Sequence, residues 1–175
     1  VTSAITNGDT FNYSIELLEA KFPVRVNQYA LNIPGGVGAG RYRGGYGSIR
    51  EYEILAGGTV LSASYGRSIE QPWSREGGEK GSCNFFELHV GNNERRAARA
   101  PTTIMEPGDL IRMFTGGGGG YGNPYERPAE EVLEEVRAEY ITAERARADY
   151  GVVVAADGKS VDAKLTAQLR AHAGD

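Results

Sequence analysis

Two glycine-rich stretches hold the residues with the clearest chemical potential. The first, GGVGAGRYRGGYG at residues 35–47, interleaves glycine with Arg41 and Arg43. Such loops can bring backbone N–H groups close to phosphate oxygens, and guanidinium groups add charge-assisted contacts to an anion. The second, TGGGGGYGNPYERP at residues 115–128, has five consecutive glycines and a formal G-x-G-x-x-G at Gly117, Gly119 and Gly122. Neither sits in the setting a nucleotide fingerprint requires. A P-loop needs Gly-Lys-[ST], and a dinucleotide turn follows a strand and opens a helix. Here the first stretch runs into an alternating segment at Ser48, and Asn123-Pro124 separates the second from any helix. The first therefore reads as a tight structural loop or as a contact with a partner chain, with anion binding through Arg41 and Arg43 as the third option. Five glycines are entropically costly to order. The second stretch is thus either a close backbone approach, to substrate or to a neighbouring subunit, or a flexible connector. The candidate contact residues are Arg41, Arg43, Gly117, Gly118, Gly119, Gly120 and Tyr121. Bulky β-branched residues at Gly118 and Gly119 are expected to impair assembly or activity more than folding.

Other chemistries find little support. His89 and His172 are far apart in sequence, Cys83 is the sole cysteine, and there is no HExxH, CxxC or G-x-S-x-G. Cys83 and His89 are separated along a chain entering a strand, which does not imply contact. Glu130-Glu131 and Glu134-Glu135 are expected on the wet face of a helix. No catalytic residue and no metal ligand is assigned. The net charge of −4, without a Lys/Arg run, argues against a nucleic-acid partner. No stretch reads as a membrane span or signal region. A lone cysteine suits a reducing cytoplasm.

The elements that must carry these loops are mainly β. Glycine makes up 25 of 175 residues, clustered without a period, which favours a turn-rich β protein over collagen. Residues 1–12 are polar and turn-like around Asn7-Gly8-Asp9. Ser14 caps a short helix that Pro23 stops. Alternation then predicts strands in 24–33, with one face buried, and in 48–55. Gly57-Gly58 should turn the latter into a hairpin with 59–66. Further strands are expected at 84–90 and 110–115, with no βαβ alternation. The fold class is mainly β, an antiparallel sandwich or open barrel, with a C-terminal α-helical segment. Pro128 and Thr142 start two helices, Gly151 stops the second, and Ser160 caps a last one. The expected division is a glycine-loop β domain at 1–122 and a helical extension at 123–175.

The stretches LLEAKFPVRVNQYAL, GGVGAGRYRGGYG and SIREYEIL within residues 11–55 resemble the hydantoinase B family. So does EPGDLIRMFTGGGGGYGNPYERPAEEVLEEVRAEYITAERARADYGVVV at 106–154. The family also includes oxoprolinases and acetone/acetophenone carboxylase subunits. Its glycine run is usually shorter, Asp is common where Asn123 stands, and residues 155–175 extend past its usual end. The resemblance implies a C-terminal segment or small subunit of an ATP-dependent enzyme acting on a lactam, cyclic amide or ketone, by hydrolysis or carboxylation. It implies a hydantoinase A-type ATP-binding subunit as partner, together with an N-terminal portion of the B-type subunit that this chain, opening on Val1, lacks. ATP and a divalent metal would belong to the complete complex and not to this chain alone. Here the chain would supply scaffold and subunit contacts. The alternatives are a non-catalytic interaction module or a small-ligand-binding β-barrel.

Overall fold

The structure, a computed structural model, describes residues 14–172. The turn expected at Asn7-Gly8-Asp9 lies outside the described residues. The chain divides into two compact units that interleave along the sequence: Val1–Gly35, Tyr46–Gln71 and Cys83–Gly116 form the first, and Gly36–Gly45, Pro72–Ser82 and Gly117–Asp175 the second.

The first unit opens with α1 (Ile15–Lys21), where the Ser14 hydroxyl accepts the Leu17 N–H at 3.3 Å as the capping rule requires. Strands β1 (Val24–Leu31), β2 (Ser48–Ile54), β3 (Thr59–Ser64), β4 (Phe85–Val90), β5 (Asn93–Ala97), β6 (Arg99–Met105) and β7 (Leu110–Phe114) follow. One sheet runs β1-β2-β7-β4-β5, antiparallel throughout, and a second pairs β3 with β6. The antiparallel sandwich with a helical C-terminal segment is thus the observed class, and the described strands do not close into a barrel.

The core follows the period of two. Phe86 and Leu88 are fully buried and pack with Ile54, Ile111, Ala100 and Met105. Burying each large side chain contributes roughly 1.5–3 kcal/mol. On the opposite face, the register sets Glu51 against Arg112 and Arg112 against Glu87. Arg112 Nε donates to Glu51 at 2.5 Å, so directly opposed charges alternate in sign.

Three expectations about the strands need correction. The Gly57-Gly58 turn does not make a hairpin of β2 and β3, because β1 and β7 occupy both edges of β2 and the turn carries the chain into the other sheet. In β1, burial alternates only over its first residues. The register slips between Val26 and Gln28, and the strand, lying at the sheet edge, is exposed beyond that point. Strands β5 and β6 were not expected from NERRAARAPTTIM. Both are edge strands, where charges and a proline such as Pro101 are tolerated.

The second unit contains a 3-10 turn (Pro124–Glu126), α2 (Ala129–Arg137), α3 (Ala143–Tyr150) and α4 (Ala163–His172). Thr142 caps α3 by accepting the Arg145 N–H, and Gly151, with φ of 62°, ends it. Asp162, not Ser160, caps α4, accepting the Leu165 N–H at 3.0 Å. Ser160 instead lies in the turn that returns to the Val154–Val161 bridge, where its carbonyl accepts the Ala155 N–H. Val132, Ile141, Ala146, Tyr150, Val152 and Ala39 form this unit's core. Among the described residues no helix is long and apolar enough to cross a membrane.

Candidate functional site

Within the second unit, three stretches without regular structure lie side by side: 36–45, 72–82 and 117–122. Their hydrogen bonds run between stretches. Gly38 N–H donates to the Gly118 carbonyl at 2.9 Å, and Gly118 N–H to that of Gly45 at 2.9 Å. Gly120 N–H donates to Glu79 at 2.8 Å, Gly122 N–H to Arg75 at 3.0 Å, and Ser82 N–H to Gly117 at 3.1 Å. Tyr42 and Tyr121 exchange a reciprocal backbone pair at 3.0 and 2.9 Å. Gly117 N–H is held by the Ser82 hydroxyl at 2.8 Å.

At several positions inside this layer a side chain has no room. A Cβ on Gly119 would overlap the Trp73 carbonyl, and one on Gly120 the Ala39 carbonyl. The five-glycine run is therefore a close backbone approach, made to the chain's own neighbouring stretches, and not a flexible connector. The same geometry bears on phosphate binding. A phosphate cradle needs several N–H groups converging on empty space, whereas the amides of Gly117, Gly118, Gly120, Tyr121 and Gly122 are already bonded.

Arg41 and Arg43 part company. Arg43 Nε lies 2.5 Å from Glu135 Oε1, with the pair largely buried. Arg127 joins the same oxygen at 3.0 Å, reaches Glu131 at 3.3 Å, and donates to the Arg41 carbonyl at 3.3 Å. The network ties the first glycine stretch to α2. Expected as a solvated charge, Glu135 is 8% exposed. Glu131 and Glu135 stand four apart on α2, and both reach back to Arg127, which precedes the helix. Burial, and next the Glu135 carboxylate, push the Tyr150 phenol well above its ordinary range, while Arg127 pulls the other way.

The rim of the layer differs in character. Arg41 is exposed, 3.8 Å from Glu126, and its guanidinium lies over the Tyr42 ring. Tyr42 and Tyr121 are 62% and 51% exposed with ring centroids 6.4 Å apart, and Trp73 is 65% exposed. Solvent-facing Tyr, Trp and Arg make up the chemistry of protein-contact hot spots. Tyr42 and Trp73 were not among the candidate contact residues read from sequence. Their aromatic side chains flanking glycine-rich stretches were the available signal.

The glycine layer offers no phosphate cradle, and the described residues bring together no metal-ligand cluster. The amides of Gly117, Gly118, Gly120 and Gly122 are bonded within the layer, and among the described residues no group of three or more His, Cys, Asp or Glu side chains is close enough to hold an ion. Cys83 Sγ contacts the Ile69 carbonyl at 3.5 Å, while His89 Nε2 is buried, 3.8 Å from Glu94.

The model of the Hydantoinase B/oxoprolinase family matches residues 2–124. The B-type subunit of a putative D-/L-hydantoinase from Pseudomonas sp. (strain NS671) is 35% identical over 93% of this chain and 27% of its own length. The beta chain of the caprolactamase of Pseudomonas jessenii is 34% identical over 97% of this chain and 29% of its own length. The crystal structure of the ATP-dependent caprolactamase from that organism superposes with a TM-score of 0.73 at 29% identity, over 90% of this chain and 28% of that one. Nucleotide-free acetone carboxylase gives a TM-score of 0.82 at 23% identity, over 99% of this chain and 28% of that one, and shares the fold. The chain spans less than a third of the length of the curated relatives it matches.

Proposed function

The chain belongs to the hydantoinase B/oxoprolinase family, and from that premise we propose that it serves as a scaffold and subunit-contact element of an ATP-dependent enzyme that opens a cyclic amide. Ring amides are weak electrophiles, and ATP-driven phosphorylation of the amide oxygen turns it into a leaving group. In this reading, ATP and a divalent metal are held by a hydantoinase A-type subunit and by the remainder of the B-type polypeptide. This chain's contribution is a backbone layer that cannot yield and an aromatic rim set upon it. The observation that carries the reading is that rim: Arg41, Tyr42, Trp73 and Tyr121 exposed on stretches whose amides are internally bonded.

Hydrolysis is favoured over carboxylation. Two relatives at 34–35% identity are named for hydantoin and caprolactam, whereas the carboxylase, at 23%, speaks for the fold alone. The single cysteine suits assembly in the cytoplasm.

The test is co-expression of this chain with an ATP-binding subunit and the rest of a B-type polypeptide. Co-elution and lactam-dependent ADP release are expected, with Tyr42→Ala and Tyr121→Ala each weakening assembly about tenfold at unchanged melting temperature. A chain that elutes alone, or a complex indifferent to both substitutions, would sink the reading.

A further inference from the structure

Between its two sheets the first unit carries an open apolar groove of about 480 Å³. Its lining includes Leu18, Phe22, Tyr52, Ile54, Leu61 and Met113. That volume lies within the range of small-molecule sites, about 300–1,000 Å³. Strand alternation continues the face that presents Ile54 and Tyr52 to Arg50, which is paired in register with the groove residue Met113. The Arg50 guanidinium lies 4.1 Å from the centroid of the Tyr29 ring. Burial lowers its pKa, the neighbouring Tyr29 and Tyr52 phenols raise it, and the net shift is upward. Tyr65 is close enough for Arg50 to pull its phenol pKa down against the upward effect of burial. Tyr29 is 54% exposed, which leaves the cluster open to solvent.

A greasy groove whose strand face ends at one cation among phenols is complementary to one kind of molecule: an apolar chain with an anionic head. We propose that this groove binds an aliphatic monocarboxylate, with its chain along Ile54, Tyr52 and Met113 and its carboxylate on Arg50 and the tyrosine hydroxyls. From Ile54 to Arg50 the strand advances roughly 13 Å at about 3.3 Å per residue, which suits an extended chain of about ten carbons. The site is independent of the amide-opening reading, because its residues belong to the sandwich and not to the glycine layer.

Calorimetric titration of the chain with hexanoate, octanoate, decanoate, decanol and decylamine tests it. Decanoate is expected to saturate one site, and each methylene removed should weaken binding about three- to fourfold. Arg50→Gln should weaken decanoate at least about tenfold and leave decanol unchanged. Ala63→Leu, which fills the groove, should weaken both. Carbon-13 observation of the labelled carboxyl should show a shift on binding that Arg50→Gln abolishes. Absence of saturation at millimolar decanoate, decylamine binding as tightly as decanoate, or indifference to Arg50→Gln would overturn the proposal. The chain-length series and the Arg50 variant decide the matter even if Ala63→Leu fails to fold.

Discussion

Gly118 and Gly119 are neighbours of one residue type inside one run, and the structure assigns them opposite tolerances. A Cβ on Gly119 would fall on the backbone carbonyl of Trp73, which cannot swing aside as the end of a side chain can. A Cβ on Gly118 would sit 3.4 Å from the Gly45 nitrogen and 3.7 Å from the Gly44 Cα, close to ordinary contact. Neither glycine has positive φ, so conformation does not separate them. Gly119→Ala must push two stretches apart and weaken the bonds between them, a cost of about 2–3 kcal/mol on the scale of overpacking. Gly118→Ala gains about 0.4–1 kcal/mol from a less flexible unfolded chain, offset in part by the snug contact. For a chain of this size the first should lower the melting temperature by roughly 5–10 °C, and the second should move it by no more than about 3 °C. Trp73 is the sole tryptophan and lies in the same unit as the run, so its fluorescence reports on the affected region. Equal shifts from the two substitutions, or none from either, would refute the packed-layer description and restore the flexible connector. At Gly119 the overlap with the Trp73 carbonyl makes loss of folding stability the expected outcome, ahead of any effect on assembly.

Three further outcomes follow from buried polar groups. Glu135→Ala leaves Arg127 and Arg43 without their shared carboxylate and should cost about 3–5 kcal/mol in urea unfolding, whereas Glu134→Gln, on an exposed group, should stay within about 0.5 kcal/mol. Asp109 accepts the Gly91 N–H at 2.8 Å and the Glu106 N–H at 2.9 Å while almost fully buried. Asp109→Ala should therefore destabilise the sandwich by about 2–4 kcal/mol, and Asp109→Asn by less. The Tyr150 phenol is raised above its ordinary 10.0 in the fold, so above pH 10 the unfolded chain loses this proton before the folded one does. The stability this group contributes is complete below pH 10 and falls as pH climbs toward the folded value. Tyr150→Phe should flatten that alkaline decline in melts recorded across the range.

Much of the fold was legible because it obeys local rules. Ser14, Thr142 and Gly151 mark helix ends by side-chain chemistry or backbone freedom, and Phe86 and Leu88 declare a buried face by alternation. What escaped depends on partners remote in sequence. Strand β2 is flanked by β1 and β7, and the latter lies more than fifty residues on, so the Gly57-Gly58 turn looked like a hairpin when it changes sheets. Edge strands β5 and β6 need no apolar stripe and leave little periodic signal. At the candidate site the sequence marked the glycine runs, but not that each was the other's neighbour. Arg43 looked available until Glu135, ninety-two positions away, was seen beside it.

The glycine layer also has an energetic logic. Glycine brings no apolar side chain, so such a layer gains little from hydrophobic burial and pays the largest backbone entropy on ordering. Hydrogen bonds net about 1 kcal/mol each and cannot by themselves order so many glycines. The deficit must be met by the residues set between the glycines. Ala39 enters the hydrophobic core with Val132 and Tyr150, and Arg43 locks onto Glu135 and, through it, Arg127. A layer fixed by these anchors and bonded from stretch to stretch offers its exposed residues little freedom to move. Tyr42, Trp73 and Tyr121 are thus presented to a partner already ordered, at little further entropic cost on binding. A mobile loop bearing the same aromatic residues would bind more weakly, and loosening the anchor with Arg43→Met should weaken partner assembly although Arg43 lies away from the rim. Native size-exclusion titration of that variant against the ATP-binding subunit reads this directly. Undiminished affinity would show that the rim does not depend on the layer beneath it.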